Sequence, residues 1–130
     1  ILSNFANNNL SAIIIDMHAE ATSEKIALGH FLDGRVSAVI GSHTHVQTSD
    51  ARVSESGTAL ITDAGMIGLA DGVLGVTKDG VIKTFLTQIK QPHVIPETGR
   101  AVFNAVSLTI DQKTAKAQSI KPITKFININ

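Results

Sequence analysis

Three short apolar runs organise the first half of the chain. Ala12-Ile13-Ile14-Ile15, closed by Asp16, is a compact β-branched run, the pattern of a strand buried on both faces. It ends in Met17-His18. Thr22 or Ser23 can cap a helix over Glu24–Leu32, whose apolar stripe is Ala27, Leu28, Phe31 and Leu32. Asp33-Gly34 stops it, with glycine where a left-handed residue is wanted. Val36–Ile40 predicts the next strand, and 41–47 the loop beyond it. Ala59-Leu60-Ile61-Thr62 predicts a third strand, ending in Asp63-Ala64-Gly65. Strand, helix and strand alternate, with polar loops at the strand ends. That is an α/β unit with sites at the carboxyl ends of its strands.

The second half reads differently. Gly72–Gly80 is glycine-rich and turn-like. Val81–Ile89 carries apolar residues at Val81, Ile82, Phe85, Leu86 and Ile89, and its β-branched content predicts a strand. Ala101–Ile110 alternates around Val102, Ala105 or Val106, Leu108 and Ile110. A turn at Asp111-Gln112-Lys113-Thr114 and a return over Ala117–Ile123 complete a β-hairpin. No repeat, linker or low-complexity tract interrupts the chain, so residues 1–130 are expected to form one unit.

Composition narrows the partners. Hydrophobic residues make up 43% of the 130, enough for a core. Eleven basic residues balance eleven acidic ones, with no basic stripe, which argues against duplex nucleic acid. Small phosphorylated molecules stay open, because a metal can supply the positive charge. The absence of cysteine excludes disulfides, thiolate ligands and a cysteine nucleophile, and agrees with a reducing compartment. The longest apolar run, Ala12–Ile15, is too short for a bilayer, and no signal peptide is visible. The expected setting is cytoplasmic, with no membrane partner. The chain starts at Ile1, with Phe5 and Leu10 soon after. It reads as the middle of a longer protein, truncated or processed.

The five histidines carry unequal weight. His43 and His45 lie two apart, and in extended backbone residues i and i+2 point to one side, so two imidazoles can converge. Gly41 lets the chain turn sharply, and Ser42 and Thr44 offer hydroxyls that fix ligand tautomers. On these residues alone, a metal site and a solvated polar loop are both open. His18 ends a neighbouring strand beside Asp16, and adjacent strand ends lie about 5 Å apart, so it can reach the same pocket. His30 falls inside the helix and His93 in a loop after Pro92. Asp63 is a candidate ligand, outer base or turn former, while Asp71 reads as a turn former. No Gly-x-Ser-x-Gly elbow and no Walker A loop is present.

Here the sequence becomes recognisable. Asp16-Met17-His18-Ala19-Glu20-Ala21-Thr22-Ser23-Glu24-Lys25 resembles a signature of the YmdB-like metallophosphoesterases. Gly41-Ser42-His43-Thr44-His45-Val46-Gln47-Thr48 resembles their second signature, and Thr62-Asp63-Ala64-Gly65-Met66 a third, in the same order. Phe85-Leu86-Thr87 and the late hairpin also fit, so the resemblance covers nearly the whole chain. It implies a bacterial family with a calcineurin-like fold, in which two β-sheets pack between outer helices. It implies two metal ions, commonly iron with manganese in some members, and hydrolysis of phosphodiesters such as 2′,3′-cyclic nucleotides by a hydroxide bridging the metals; histidine and carboxylate ligands suit iron, manganese or zinc. His18, His43 and His45 take metal-ligand roles. No further catalytic residue is implied on this chain.

The family's other ligands are an aspartate, a bridging glutamate and an asparagine followed by a histidine, all from an N-terminal half. Asn7-Asn8-Asn9 has no adjacent histidine to replace them. The chain is therefore expected to be the C-terminal half of a four-layer α/β/β/α sandwich, inactive alone, and to associate with its other half or with copies of itself. The 67–72 loop, Ile67-Gly68-Leu69-Ala70-Asp71-Gly72, departs from the family's polar or proline-containing loop, which bears on specificity. Two alternatives remain: a 5′-nucleotidase-like phosphomonoesterase, and a metal-free module that binds nucleotides or a partner protein.

Overall fold

A computed structural model of the chain describes residues 10–130, so Asn7-Asn8-Asn9 lies outside the described residues. Strands β1 (Ile14–His18), β2 (Ala38–Ser42) and β4 (Ala59–Ile61) run parallel, and β3 (Arg52–Val53) adds antiparallel to β4. The sheet order is β1-β2-β4-β3. Helix α1 (Thr22–Phe31) crosses between β1 and β2. A second sheet is antiparallel, in the order β5 (Ile67–Leu69), β6 (Gly99–Ile110), β7 (Ala117–Ile129).

Two apolar layers hold these pieces together. Leu28, Leu32 and Val36 pack with Val39, Leu60, Ile15 and Met17 on one side of the parallel sheet. On another, the small residues Ala38, Ala59 and Ala117 let the second sheet approach closely, with Ile40, Val53, Leu108 and Ile120 around them. Each fully buried side chain of the size of Val39 or Ile61 stabilises the fold by roughly 1.5–3 kcal/mol. Polar links join the sheets at their lower edge: Ser37 Oγ donates to the Ala115 carbonyl at 2.6 Å, and the Ala117 amide to the Gly57 carbonyl at 2.8 Å. Helix, sheet and sheet thus form the α/β/β part of the expected sandwich.

Several local expectations are corrected. Among the described residues β1 is an edge strand: Ile14, Asp16 and His18 are exposed while Ile15 and Met17 are half-buried, so its two faces are not both covered there. Helix α1 starts two residues earlier than expected, with Ala21 at the cap and no side-chain cap bond, so neither Thr22 nor Ser23 caps it. Its inward stripe is Lys25, Leu28, Gly29 and Leu32. Phe31 is 69% exposed, under the Arg35 guanidinium at 5.2 Å.

The expected strand over Val81–Ile89 is instead a helix, α2 (Lys78–Thr87), begun by Thr77 and ended by Gln88 in the left-handed region at φ 58°. Its β-branched residues argued for a strand. But among the described residues no strand pairs with it and none of its residues is buried, so no sheet environment selects the extended form. The hairpin forms where expected and runs longer, and the turn at Asp111 is held by its carboxylate, which accepts from the Lys113 and Thr114 amides. These bonds from Thr114 and Lys113 hold Asp111 below its usual pKa. No helix among the described residues is long and apolar enough to cross a membrane.

Candidate metal centre

Parallel pairing sets the site. His18 at the end of β1 lies in register with Ser42 at the end of β2. The Ser42 hydroxyl sits 3.1 Å from His18 Nδ1 and 3.5 Å from Asp16 Oδ1. With that hydroxyl donating to Asp16, His18 donates from Nδ1, which leaves a lone pair on Nε2. His18 Nε2 faces His43 Nδ1 at 3.2 Å, the two rings edge-on with centroids 5.1 Å apart. A carboxylate behind a hydroxyl behind an imidazole is the arrangement that orients a ligating histidine.

His45 joins them in a pocket of about 170 Å³ lined also by Ser42, Asp63, Gly65 and Met66. The reason differs from the one expected. The loop is not extended: His43 has φ 135° and His45 φ 64°, both in the region that favours glycine. Such residues cost of order 1–3 kcal/mol each and persist only where the surroundings hold them. Here the holding group is Asp63, at the end of β4. Its Oδ2 accepts from the Thr44 amide at 2.7 Å and its Oδ1 from the Gly65 amide at 2.9 Å. Thr44 spends its hydroxyl on the Val46 carbonyl, not on a histidine.

Asp63 is therefore a brace rather than a free ligand. It is 1% exposed and faces the equally buried Lys25 at 3.6 Å. Burial pushes its pKa up, but the bonds from Thr44 and Gly65, with Lys25 nearby, outweigh this and hold it below the usual carboxylate range. Lys25 Nζ also donates to the Ser42 carbonyl at 3.3 Å, so one buried cation supports both strand ends. Sequence reasoning missed Lys25. The signal was its place at the first position of the 25, 28, 29, 32 stripe, a position that otherwise takes an apolar residue.

Gly41 also does something other than turn the chain. A Cβ there would meet the Thr62 carbonyl oxygen at 1.9 Å and Lys25 Cδ at 2.7 Å, so its bareness lets β2 and the end of β4 close up beneath the histidines. Gln47 anchors the far side of the loop. Its amide donates to the carbonyls of Ala64 at 3.1 Å and Ala105 at 2.9 Å, joining the loop to β6.

The other candidates lie elsewhere. His30 is exposed on the last turn of α1, and His93 is exposed in the segment after α2. Asp71 sits in a turn, paired with Arg100 at 3.9 Å. Among the described residues no three His, Asp or Glu side chains already form a closed metal-holding group. The donor set nonetheless suits an ion. The 3.2 Å between His18 Nε2 and His43 Nδ1 matches the roughly 3 Å edge between neighbouring ligands on a metal with bonds of about 2.0–2.1 Å.

Comparison with known proteins places these residues in context. The model of the family described as YmdB-like protein matches residues 1–123. A 2′,3′-cyclic-nucleotide 2′-phosphodiesterase of Bacillus subtilis (strain 168) is 50% identical over 111 residues, covering 85% of this chain and 42% of its own length. A hypothetical protein from Thermus thermophilus superposes with TM-score 0.83 at 37% identity, over 95% of this chain and 48% of its own. A novel phosphatase from Mycoplasma pneumoniae superposes with TM-score 0.84 at 30% identity, over 98% and 45%. The chain thus spans less than half the length of these relatives.

Proposed function

The chain belongs to the YmdB-like family, and on that premise we propose that it carries half of the metal centre of a phosphodiesterase acting on 2′,3′-cyclic nucleotides. The observation that carries the reading is the convergence of His18, His43 and His45 on one pocket, with His18 Nε2 and His43 Nδ1 at ligand spacing. The 50% identity to a phosphodiesterase of that class supports the substrate. The remaining ligands belong, in this proposal, to the part of the relatives that the chain does not span. This makes residues 1–130 one part of a domain rather than a whole one.

Each residue then has a role. His18, His43 and His45 are the metal ligands. Ser42 and Asp16 fix the His18 tautomer, and Asp63 and Lys25 hold the strained loop so that its imidazoles meet without rearrangement. Ions such as iron, manganese or zinc would lower the pKa of water and offset charge on the phosphoryl oxygens. Three neutral imidazoles leave that positive charge to be balanced by carboxylates from outside the chain.

The test uses the full-length protein. His43→Ala and His45→Ala are expected to lose bound metal and to cut hydrolysis of 2′,3′-cyclic AMP by at least about a hundredfold. Wild-type metal content and turnover in both variants would sink the assignment. The phosphatase relative motivates a second reading, a phosphomonoesterase. Comparing 2′,3′-cyclic AMP with 5′-AMP separates the two.

A further inference from the structure

An open groove of about 330 Å³ adjoins the histidine pocket, and His45 and Met66 belong to the walls of both. Its other walls come from the second sheet and the loop, among them Val102, Asn104, Thr124, Phe126 and Gln47. Among the described residues no Asp, Glu, Lys or Arg side chain lines it. It has an apolar floor, with Val102 only 8% exposed, and an aromatic wall in Phe126, which is 55% exposed. The Arg100 guanidinium covers one face of that ring, 4.2 Å from its centre, so a ligand would stack on the other.

The groove also has a polar edge. Thr124 Oγ1 donates toward Asn104 Oδ1 at 2.8 Å and lies 3.2 Å from Gln47 Oε1, and Asn104 Nδ2 donates to the Met66 carbonyl at 3.0 Å. Asn104 Nδ2 carries two hydrogens, and among the described residues one of them is used. An aromatic wall, an apolar floor and a spare amide hydrogen suit a flat, neutral, heteroatom-edged ring. The groove shares His45 and Met66 with the pocket that would take a phosphodiester.

We propose that this groove is the base subsite of the enzyme: the nucleobase stacks on Phe126 and its edge is read by Asn104. The inference rests on the histidine pocket being the phosphodiester site. It assigns to β6 and β7 a share in choosing the substrate, beyond supporting the metal loop.

The test compares two diesters on the full-length protein with manganese or iron: 2′,3′-cyclic AMP and 1-O-methylribose 2′,3′-cyclic phosphate, which has neither a base nor any other aromatic ring. The ratio of their kcat/KM values is expected to fall about tenfold or more in Phe126→Ala, chiefly through KM for the nucleotide, and to recover in Phe126→Trp. Adenosine binding to the metal-free protein, followed by NMR, should weaken in the same order. A ratio and an adenosine affinity that stay at wild-type values in a folded Phe126→Ala or Phe126→Leu variant would overturn the subsite and leave the phosphodiesterase standing. A wild-type protein that cleaves neither diester overturns both.

Discussion

Lys25 and Asp63 are each 1% exposed and lie 3.6 Å apart beneath the histidine loop. Removing one member of such a pair leaves the other charged and unmatched, at a cost of about 3–5 kcal/mol. Asp63→Asn is expected to destabilise the protein by that order in urea unfolding, and the double variant Lys25→Met/Asp63→Asn to recover part of the loss. A single-variant effect below about 1 kcal/mol would mean that the pair does not hold the loop. The depressed pKa of Asp63 fixes the sign of the pH response. Its contribution is fully present above the unfolded carboxylate value of about 3.9 and disappears as pH falls through the lower folded value. Stability should therefore drop below about pH 4, with a shallower drop in Asp63→Asn.

Strand ends define the site at the scale of elements, and β2 ends in a tight contact. Gly41 sits on it without left-handed backbone, pressed against the Thr62 carbonyl oxygen. Gly41→Ala is expected to push β2 from the end of β4 and to abolish metal binding along with lowering the melting temperature. A Gly41→Ala protein that melts and binds manganese like wild type would show that the two ends need not touch. The parallel strands were legible in the sequence because their β-branched runs stop at polar residues. The hairpin was legible because it alternates. Helix α2 was not, since its valine and isoleucine favour strands and, among the described residues, nothing packs over it closely enough to bury one of its side chains. The exposed face of β1 was equally hidden, because an apolar run does not say how many neighbours the strand will have.

At the scale of the molecule, the sequence located His18, His43 and His45 through their motifs, and the structure brings them to one pocket. Little in it pointed to what holds them, because Lys25, Gly41 and Gln47 act through packing and bonds to distant carbonyls. If the metal is held as proposed, by His18, His43 and His45, residues 1–130 alone are expected to bind at most one manganese ion weakly and to turn over an aryl phosphodiester slowly. Calorimetry and a turnover assay check this. Rapid turnover would show that the chain needs no outside ligand.

The left-handed backbone at His43 and His45 sets stability against chemistry. An L side chain at φ 64° costs roughly 1–2 kcal/mol that glycine avoids, so His45→Gly should melt above His45→Ala although both lose the same imidazole. A laboratory selection for heat resistance alone would then drift toward glycine at these positions and discard the site. Histidine there is a choice that only selection for activity would keep.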